Sequence, residues 1–259
     1  CLIHFLVLSS GSCGNSYAFY DGRDTIVIDQ GLTYTGFSKR LDFHDIPIQS
    51  VRAVFLTHLH PDHSKGVGAT QRKLAIPVYL SDVSLSMSES IIRKEKIDIQ
   101  SIRTFHHGES IEINDFKISA FRSYHDCPGS SFYVIENNGR KIFLMTDTGQ
   151  IPYDAHQGAE DADVLFVESN YDREMLKNGP YPRKLQARIS GGYGHLSNDE
   201  AAFFLKQHAK LRSQVYLIHL SDNNNTPECA RRVSSASLRS GIFLTVCERG
   251  ESYEGFIDE

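Results

Sequence analysis

The sequence predicts an α/β architecture of the α+β kind, with two mixed β-sheets packed face to face and helices outside. Three observations lead there. Strand-like apolar runs recur through both halves of the chain, helical patterns lie between them in both halves, and no Pro/Gly/Ser linker or low-complexity tract separates the halves. A chain of 259 residues with 40% hydrophobic content can bury a full core, so a single domain over 1–259 is expected.

Runs rich in β-branched and aromatic residues predict strands at 3–8, 17–20, 25–28, 53–56 and 77–80. Later strands are predicted at 116–122, 132–136, 141–145, 164–167, 215–218 and 242–247. Apolar positions at helical spacing predict helices over 34–43, 64–74, 83–94, 198–210 and 227–238. Ser197 and Asn198 are suited to cap the fourth of these, with Asp199 and Glu200 at its positive end. Turns are marked by Asp21-Gly22, Asn114-Asp115 and Asn137-Asn138-Gly139, the last joining a hairpin. Segment 176–189 contains Gly179, Pro180 and Pro182 and reads as a loop or broken helix.

The opening residues are apolar but have no cationic lead, so they read as a strand and not as an export signal. The absent initiator Met implies a short preceding segment. No run approaches the length of a membrane span, so no membrane partner is expected. Cys1, Cys13, Cys127, Cys229 and Cys247 are odd in number and never spaced Cys-x-x-Cys, which predicts free thiols in a reducing compartment. A net charge of −5 excludes coating nucleic acid by bulk charge. A polyanion would have to be met by metals or by local patches such as Arg183, Lys184 and Arg188, or Arg231 and Arg232. The plain alternative for these patches is a solvated helix face.

The densest chemistry lies at His58-Leu59-His60-Pro61-Asp62-His63, directly after an apolar run. On extended backbone, side chains at i and i+2 share a side, so His58 and His60 can grip one ion. Pro61 turns the chain, and Asp62 and His63 arrive together where they can grip a second ion. Further donors follow at strand ends: His125 after 116–122, Asp147 after 141–145 and His219 after 215–218. Asp147 can bridge two ions, while His125 and His219 complete one site each. This donor mixture suits two divalent ions, zinc or manganese, with iron also compatible.

The set of motifs resembles the metallo-β-lactamase superfamily over nearly the whole chain. The resemblance implies an αββα sandwich with a dinuclear metal cleft at one edge. It also implies that His58, His60 and His125 hold one ion, that Asp62, His63 and His219 hold the other, and that Asp147 bridges them. Asp29, in Val27-Ile28-Asp29-Gln30-Gly31, matches the superfamily's early Asp that supports the metal loop. Many members carry Ala where this chain has Gln30, a departure expected to be mild. Phe166-Val167-Glu168-Ser169-Asn170 and Gly194-His195-Leu196-Ser197 are similar to motifs of nucleic-acid-processing members such as ribonuclease J. Too few residues separate Glu168 from His195 to hold that enzyme's large inserted domain. With Ser10-Gly11-Ser12-Cys13-Gly14-Asn15, His219-Leu220-Ser221 and Asn224-Asn225, the chain resembles the YycJ/WalJ group. That resemblance implies a cytoplasmic 5′-to-3′ DNA exonuclease.

The residues support such chemistry independently. Phosphodiester hydrolysis needs a strong nucleophile and neutralisation of phosphoryl charge, and two ions about 3.5–4 Å apart supply both. His195, behind Gly192-Tyr193-Gly194, can donate a proton to the departing or non-bridging oxygen. Asp62 joins it as a catalytic candidate beside its role as ligand. Glu168 is expected to hydrogen-bond a ligand imidazole and fix its tautomer. Ser12 and Asn15 lie in a loop able to cradle phosphate or to form an ordinary turn. Asn170, Ser197 and Ser221, in the motifs above, are further substrate candidates, and Arg183 and Lys184 are placed to hold a nucleic-acid backbone. The same site also admits a small-molecule phosphodiesterase or, with Glu168 and His195 idle, a thioesterase or lactonase.

Overall fold

The computed structural model describes residues 2–258; Cys1 lies outside them. In the first half the strands are β1 (Ile3–Ser9), β2 (Ser16–Tyr20), β3 (Thr25–Gln30), β4 (Val51–Phe55), β5 (Val78–Ser81) and β6 (Ile102–Phe105). Then come β7 (Ser110–Ile113), β8 (Phe116–Arg122), β9 (Ser131–Asn137), β10 (Arg140–Met145), β11 (Val164–Glu168), β12 (Gln214–Ile218), β13 (Phe243–Val246) and β14 (Tyr253–Ile257). The helices are α1 (Tyr34–Phe43), α2 (Pro61–Ser64), α3 (Val67–Leu74), α4 (Asp82–Met87) and α5 (Glu89–Lys94). They continue with α6 (Tyr153–Ala159), α7 (Arg173–Asn178), α8 (Arg183–Ser190), α9 (Asn198–His208) and α10 (Pro227–Ser237).

The strands form two mixed sheets of seven, ordered β14-β1-β2-β3-β4-β5-β6 and β13-β12-β11-β10-β9-β8-β7. Side-chain alternation explains why the runs are apolar throughout. Ile3, Phe5 and Val7 of β1 enter the core shared by the sheets, whereas Leu6 and Leu8 pack with Phe37, Leu41 and Val67 of α1 and α3. In β11, Val164 and Phe166 face the shared core, and Leu165 and Val167 pack with Phe204 and Leu205 of α9. Strands buried on both faces lose the polar alternation of a half-exposed strand. The result is the expected sandwich with helices on both outer faces.

Three strands escaped the sequence pattern: β6, β7 and β14, all at sheet edges. Pairing with a neighbour makes them strands, across the whole chain in Ile3↔Ile257 between β1 and β14 and through the tight Asn114-Asp115 hairpin for β7. Helix α6 was also unforeseen, and α8 gives regular form to part of the stretch expected to be a loop or broken helix. The predicted helix 64–74 begins only at Val67, as α3, after Ser64 ends α2 and Gly66 intervenes, where a Cβ would lie 1.7 Å from the Leu32 carbonyl oxygen. Among the described residues, Cys13, Cys127, Cys229 and Cys247 are free thiols, and no helix is long and apolar enough to cross a membrane.

Candidate metal centre

Sheet register brings distant donors together. Strands β10, β11 and β12 are parallel neighbours, so their carboxyl ends deliver Asp147, Glu168 and His219 to one edge. The other sheet contributes the segment after β4. His60 is extended and Pro61 begins α2, which places Asp62 and His63 in its first turn. Gly31 makes the approach of this loop feasible, because a Cβ there would lie 1.8 Å from the Asp62 carbonyl oxygen. Asp29, Asp147 and His219 all adopt positive φ, at 58°, 51° and 57°. Left-handed backbone is uncommon for such residues and here redirects each side chain at its turn.

The donor atoms fall into two groups joined by one carboxylate. His60 Nδ1 lies 3.0 Å from His58 Nε2 and 3.3 Å from His125 Nε2. The His125 Nδ1–H donates to the Gly194 carbonyl oxygen at 3.0 Å, so its Nε2 lone pair points into the group. In the second group His63 Nε2 lies 3.4 Å from Asp62 Oδ2, and His219 Nε2 lies 3.6 Å from the same oxygen. Asp147 Oδ1 is 3.6 Å from His125 Nε2, while Oδ2 is 3.2 Å from His63 Nε2 and 3.6 Å from His219 Nε2. Its two oxygens therefore face different groups. His219 Nε2 is buried without a hydrogen-bond partner among the described residues. A cation satisfies that nitrogen and the converging imidazole lone pairs, so the donor set fits divalent metal. Glu168, His195, His219 and Asp147 form a further cluster, but Glu168 is already engaged by protein donors.

Charge within the metal-free site follows from burial and carboxylates. Burial holds His58 and His60 below the ordinary imidazole value, leaving them neutral. Burial opposes charge on His63 too, but Asp147, Asp62 and Asp29 overcome it and raise its pKa well above the ordinary value. His219 is likewise opposed by burial yet pushed up to about 10 by Asp147, Asp62 and Glu168. These raised values stabilise the metal-free fold fully below the unfolded value of about 6.5, and the contribution is lost as pH rises through the folded values. Near pH 7.5, metal binding should accordingly release about two protons per chain, from His63 and His219. Calorimetric titration in buffers of different ionisation enthalpy measures that number, and release near zero would contradict this charge assignment.

Supporting residues fix the candidate donors. Asp29 Oδ2 accepts from His63 Nδ1 and from the Thr57 hydroxyl, each at 2.7 Å, and Asp29 Oδ1 accepts from the Thr57 amide at 2.7 Å. Asp29→Asn replaces an acceptor by a donor and is expected to weaken metal affinity about 10–100-fold, read by chelator competition. Glu168 Oε2 lies 2.6 Å from His195 Nδ1 and 3.3 Å from His219 Nδ1, while Oε1 accepts from the Leu196 amide at 3.1 Å. Gln30 is buried and satisfied, donating to Thr70 Oγ1 at 2.9 Å and accepting from the Leu32 amide at 3.2 Å.

A cleft of about 280 Å³ opens over the cluster, with Ser12, Asn170, His195 and Ser221 in its wall. Asn15 is fully buried instead, its Nδ2 donating to Asp62 Oδ2 at 3.3 Å and its amide to the Asp62 carbonyl oxygen at 2.7 Å. It holds the metal loop from beneath. Ser197 is also buried and caps α9 in a reciprocal arrangement with Glu200. Arg183 borders a separate groove with Arg173 and Lys177, and Lys184 is exposed on α8. Arg188, from the same basic stretch, reaches the metal cleft and pairs with Asp126 at 2.5 Å. Asp126, which follows His125 directly, is a cleft residue that no motif in the sequence marks. Thr57, the Gly194 carbonyl and Ser10, which accepts from the His219 amide at 2.8 Å, carry no local signal because their role depends on partners distant in sequence.

Comparison with known proteins agrees with this geometry. Residues 24–220 match the family model described as a beta-lactamase superfamily domain. The chain is 32% identical to exodeoxyribonuclease YycJ of Bacillus anthracis, over 97% of this chain and 94% of the relative. It is 30% identical to exodeoxyribonuclease WalJ of Streptococcus pneumoniae, over 93% and 92% of the two chains. The metallo-β-lactamase fold protein YhfI of Bacillus subtilis superposes with a TM-score of 0.73 at 18% identity, covering 98% of this chain and 99% of its own. A family match across most of the chain, together with two packed sheets that carry their donors at one edge, makes this protein a member of the metallo-β-lactamase superfamily.

Proposed function

We propose that the protein is a metal-dependent exodeoxyribonuclease that hydrolyses DNA from the 5′ end. Two zinc or manganese ions are its cofactors, iron suiting the same donors, and the cytoplasm is its compartment. Its YycJ and WalJ relatives are named for the DNA reaction, and the free buried thiols Cys127 and Cys247 accord with reducing conditions. The observation that carries the reading is Glu168 gripping His195 at the lip of a paired donor set. A thioesterase or lactonase has no use for that arrangement.

His58, His60 and His125 would hold one ion, and Asp62, His63 and His219 the other, with Asp147 shared. The ions, when bound, supply Lewis acidity and an activated water. Asp62 presents a carboxylate at the cleft, and Asn15 keeps it in place. Burial opposes charge on His195, but Glu168 overcomes it and raises the His195 pKa. Its Nδ1 is committed to Glu168, so Nε2 is left to hand a proton to O3′ as the P–O3′ bond breaks. Ser12 and Ser221 contact the phosphate from the cleft wall, whereas the Asn170 side-chain amide is taken up by the His219 carbonyl oxygen at 2.8 Å; Arg183 and Lys184 lie outside the cleft, where only a longer strand would reach them. The small cleft and its acidic residues Asp126 and Asp222 favour, as a second reading, a small phosphate diester substrate.

Purified protein incubated with Mn²⁺ or Zn²⁺ and 5′-labelled linear DNA, bis-p-nitrophenyl phosphate or a thioester distinguishes the readings. Mononucleotides released from the 5′ end are expected. Cleavage of the chromogenic diester alone would transfer the assignment to the second reading, and turnover of the thioester alone would refute both.

A further inference from the structure

A second groove, of about 350 Å³, adjoins the metal cleft and shares His125 and Asp126 with it. Its wall includes three apolar side chains left unusually exposed, Val83 (39%), Met87 (66%) and Tyr193 (53%), together with Arg122. Tyr193 stands next to Tyr124, with ring centroids 6.1 Å apart at 74°, and the Arg122 guanidinium lies 5.2 Å from the Tyr124 centroid. The loop that carries Tyr193 is held in place. The Gly194 carbonyl accepts from the ligand His125, the Gly192 carbonyl accepts from Gln150 Nε2 at 3.2 Å, and Gly149 packs so closely that a Cβ would lie 2.3 Å from the Gly191 carbonyl oxygen. Tyr193, exposed on this fixed loop two residues before His195 and sharing the groove with Val83 and Met87 of α4, offers an aromatic face to a flat group attached to a phosphate in the neighbouring metal cleft.

We propose that this groove receives an unpaired nucleobase of the nucleotide adjoining the scissile phosphate, stacked against Tyr193 with Arg122 at its edge. The proposal rests on the nuclease reading and adds to it a subsite for the unpaired base of an end nucleotide, whether from a single strand or a frayed duplex end. Bases of any identity present a π-face, so such a platform selects for unpaired nucleotides and not for sequence. A base within a duplex has both faces covered and must leave the stack to reach a tyrosine.

The test couples a protein change to a substrate change. Initial rates are compared for wild type and Tyr193→Ala on single-stranded oligonucleotides that are intact or abasic at the first or second position. Wild type should favour the intact substrate about tenfold over one of the abasic substrates, and Tyr193→Ala should erase that preference, whereas Tyr193→Phe keeps it. An unchanged preference in Tyr193→Ala, or an equal loss on intact and abasic substrates, would overturn the platform. The chain contains no Trp, so Tyr193→Trp creates a sole reporter. Its fluorescence should be quenched by a non-hydrolysable phosphorothioate oligonucleotide and not by an abasic one. Quenching without any DNA hydrolysis would retain the platform and refute the exonuclease reading; hydrolysis without quenching or base preference would do the reverse.

Discussion

Asp147→Asn is expected to lower turnover about 10³-fold or more and to reduce bound metal from about two ions per chain to one or none. One carboxylate faces both donor groups through different oxygens, and an amide keeps only one acceptor while turning an N–H toward imidazoles. Elemental analysis after dialysis measures the metal, and initial rates on DNA measure the turnover. Stability should change as well. In the metal-free protein Asp147 neutralises His63 and His219, and breaking a buried charge pair of this kind costs about 3–5 kcal/mol. Chelator-treated variant should therefore melt well below chelator-treated wild type. Full metal occupancy with near-normal activity would refute the bridging role.

The second large effect falls on His195. His195→Ala is expected to lower kcat by about 10²–10⁴-fold while metal content stays at the wild-type level. Retained metal separates a proton donor from a ligand. The pH profile gives an independent readout. Glu168 raises the His195 pKa, so its acid form is present below that value and lost as pH rises through it. Wild type should lose activity on this alkaline limb, His195→Ala should lack the limb, and Glu168→Gln should move it to lower pH. A profile unchanged in all three would remove His195 from the chemistry.

The residues differ in how much of this they announce. The strands of the central layers were legible because burial on both faces leaves unbroken apolar runs, as in Val164 to Val167. The loop from His58 to His63 was legible because its donors are close in sequence and one extended-to-helical turn divides them. Edge strands β6, β7 and β14 were not, since their own residues are only partly buried and pairing with a neighbour decides their conformation. Side-chain roles blurred in the same way. Asn15 and Ser197 read as phosphate contacts, but their polar groups are taken up by Asp62 and by the start of α9. Helix α8 turns Arg188 toward the metal cleft and Arg183 toward a separate groove.

Sequence alone thus determined the layered core and named the candidate donors, because hydrophobic alternation and a six-residue motif are local properties. Tertiary structure decided which oxygen of Asp147 meets which imidazole, that Glu168 serves both His195 and His219, and that Tyr193 stands beside the cleft. Those relations depend on the parallel register of β10, β11 and β12 and on the facing of two sheets, which residues far apart in the chain fix only when they pack.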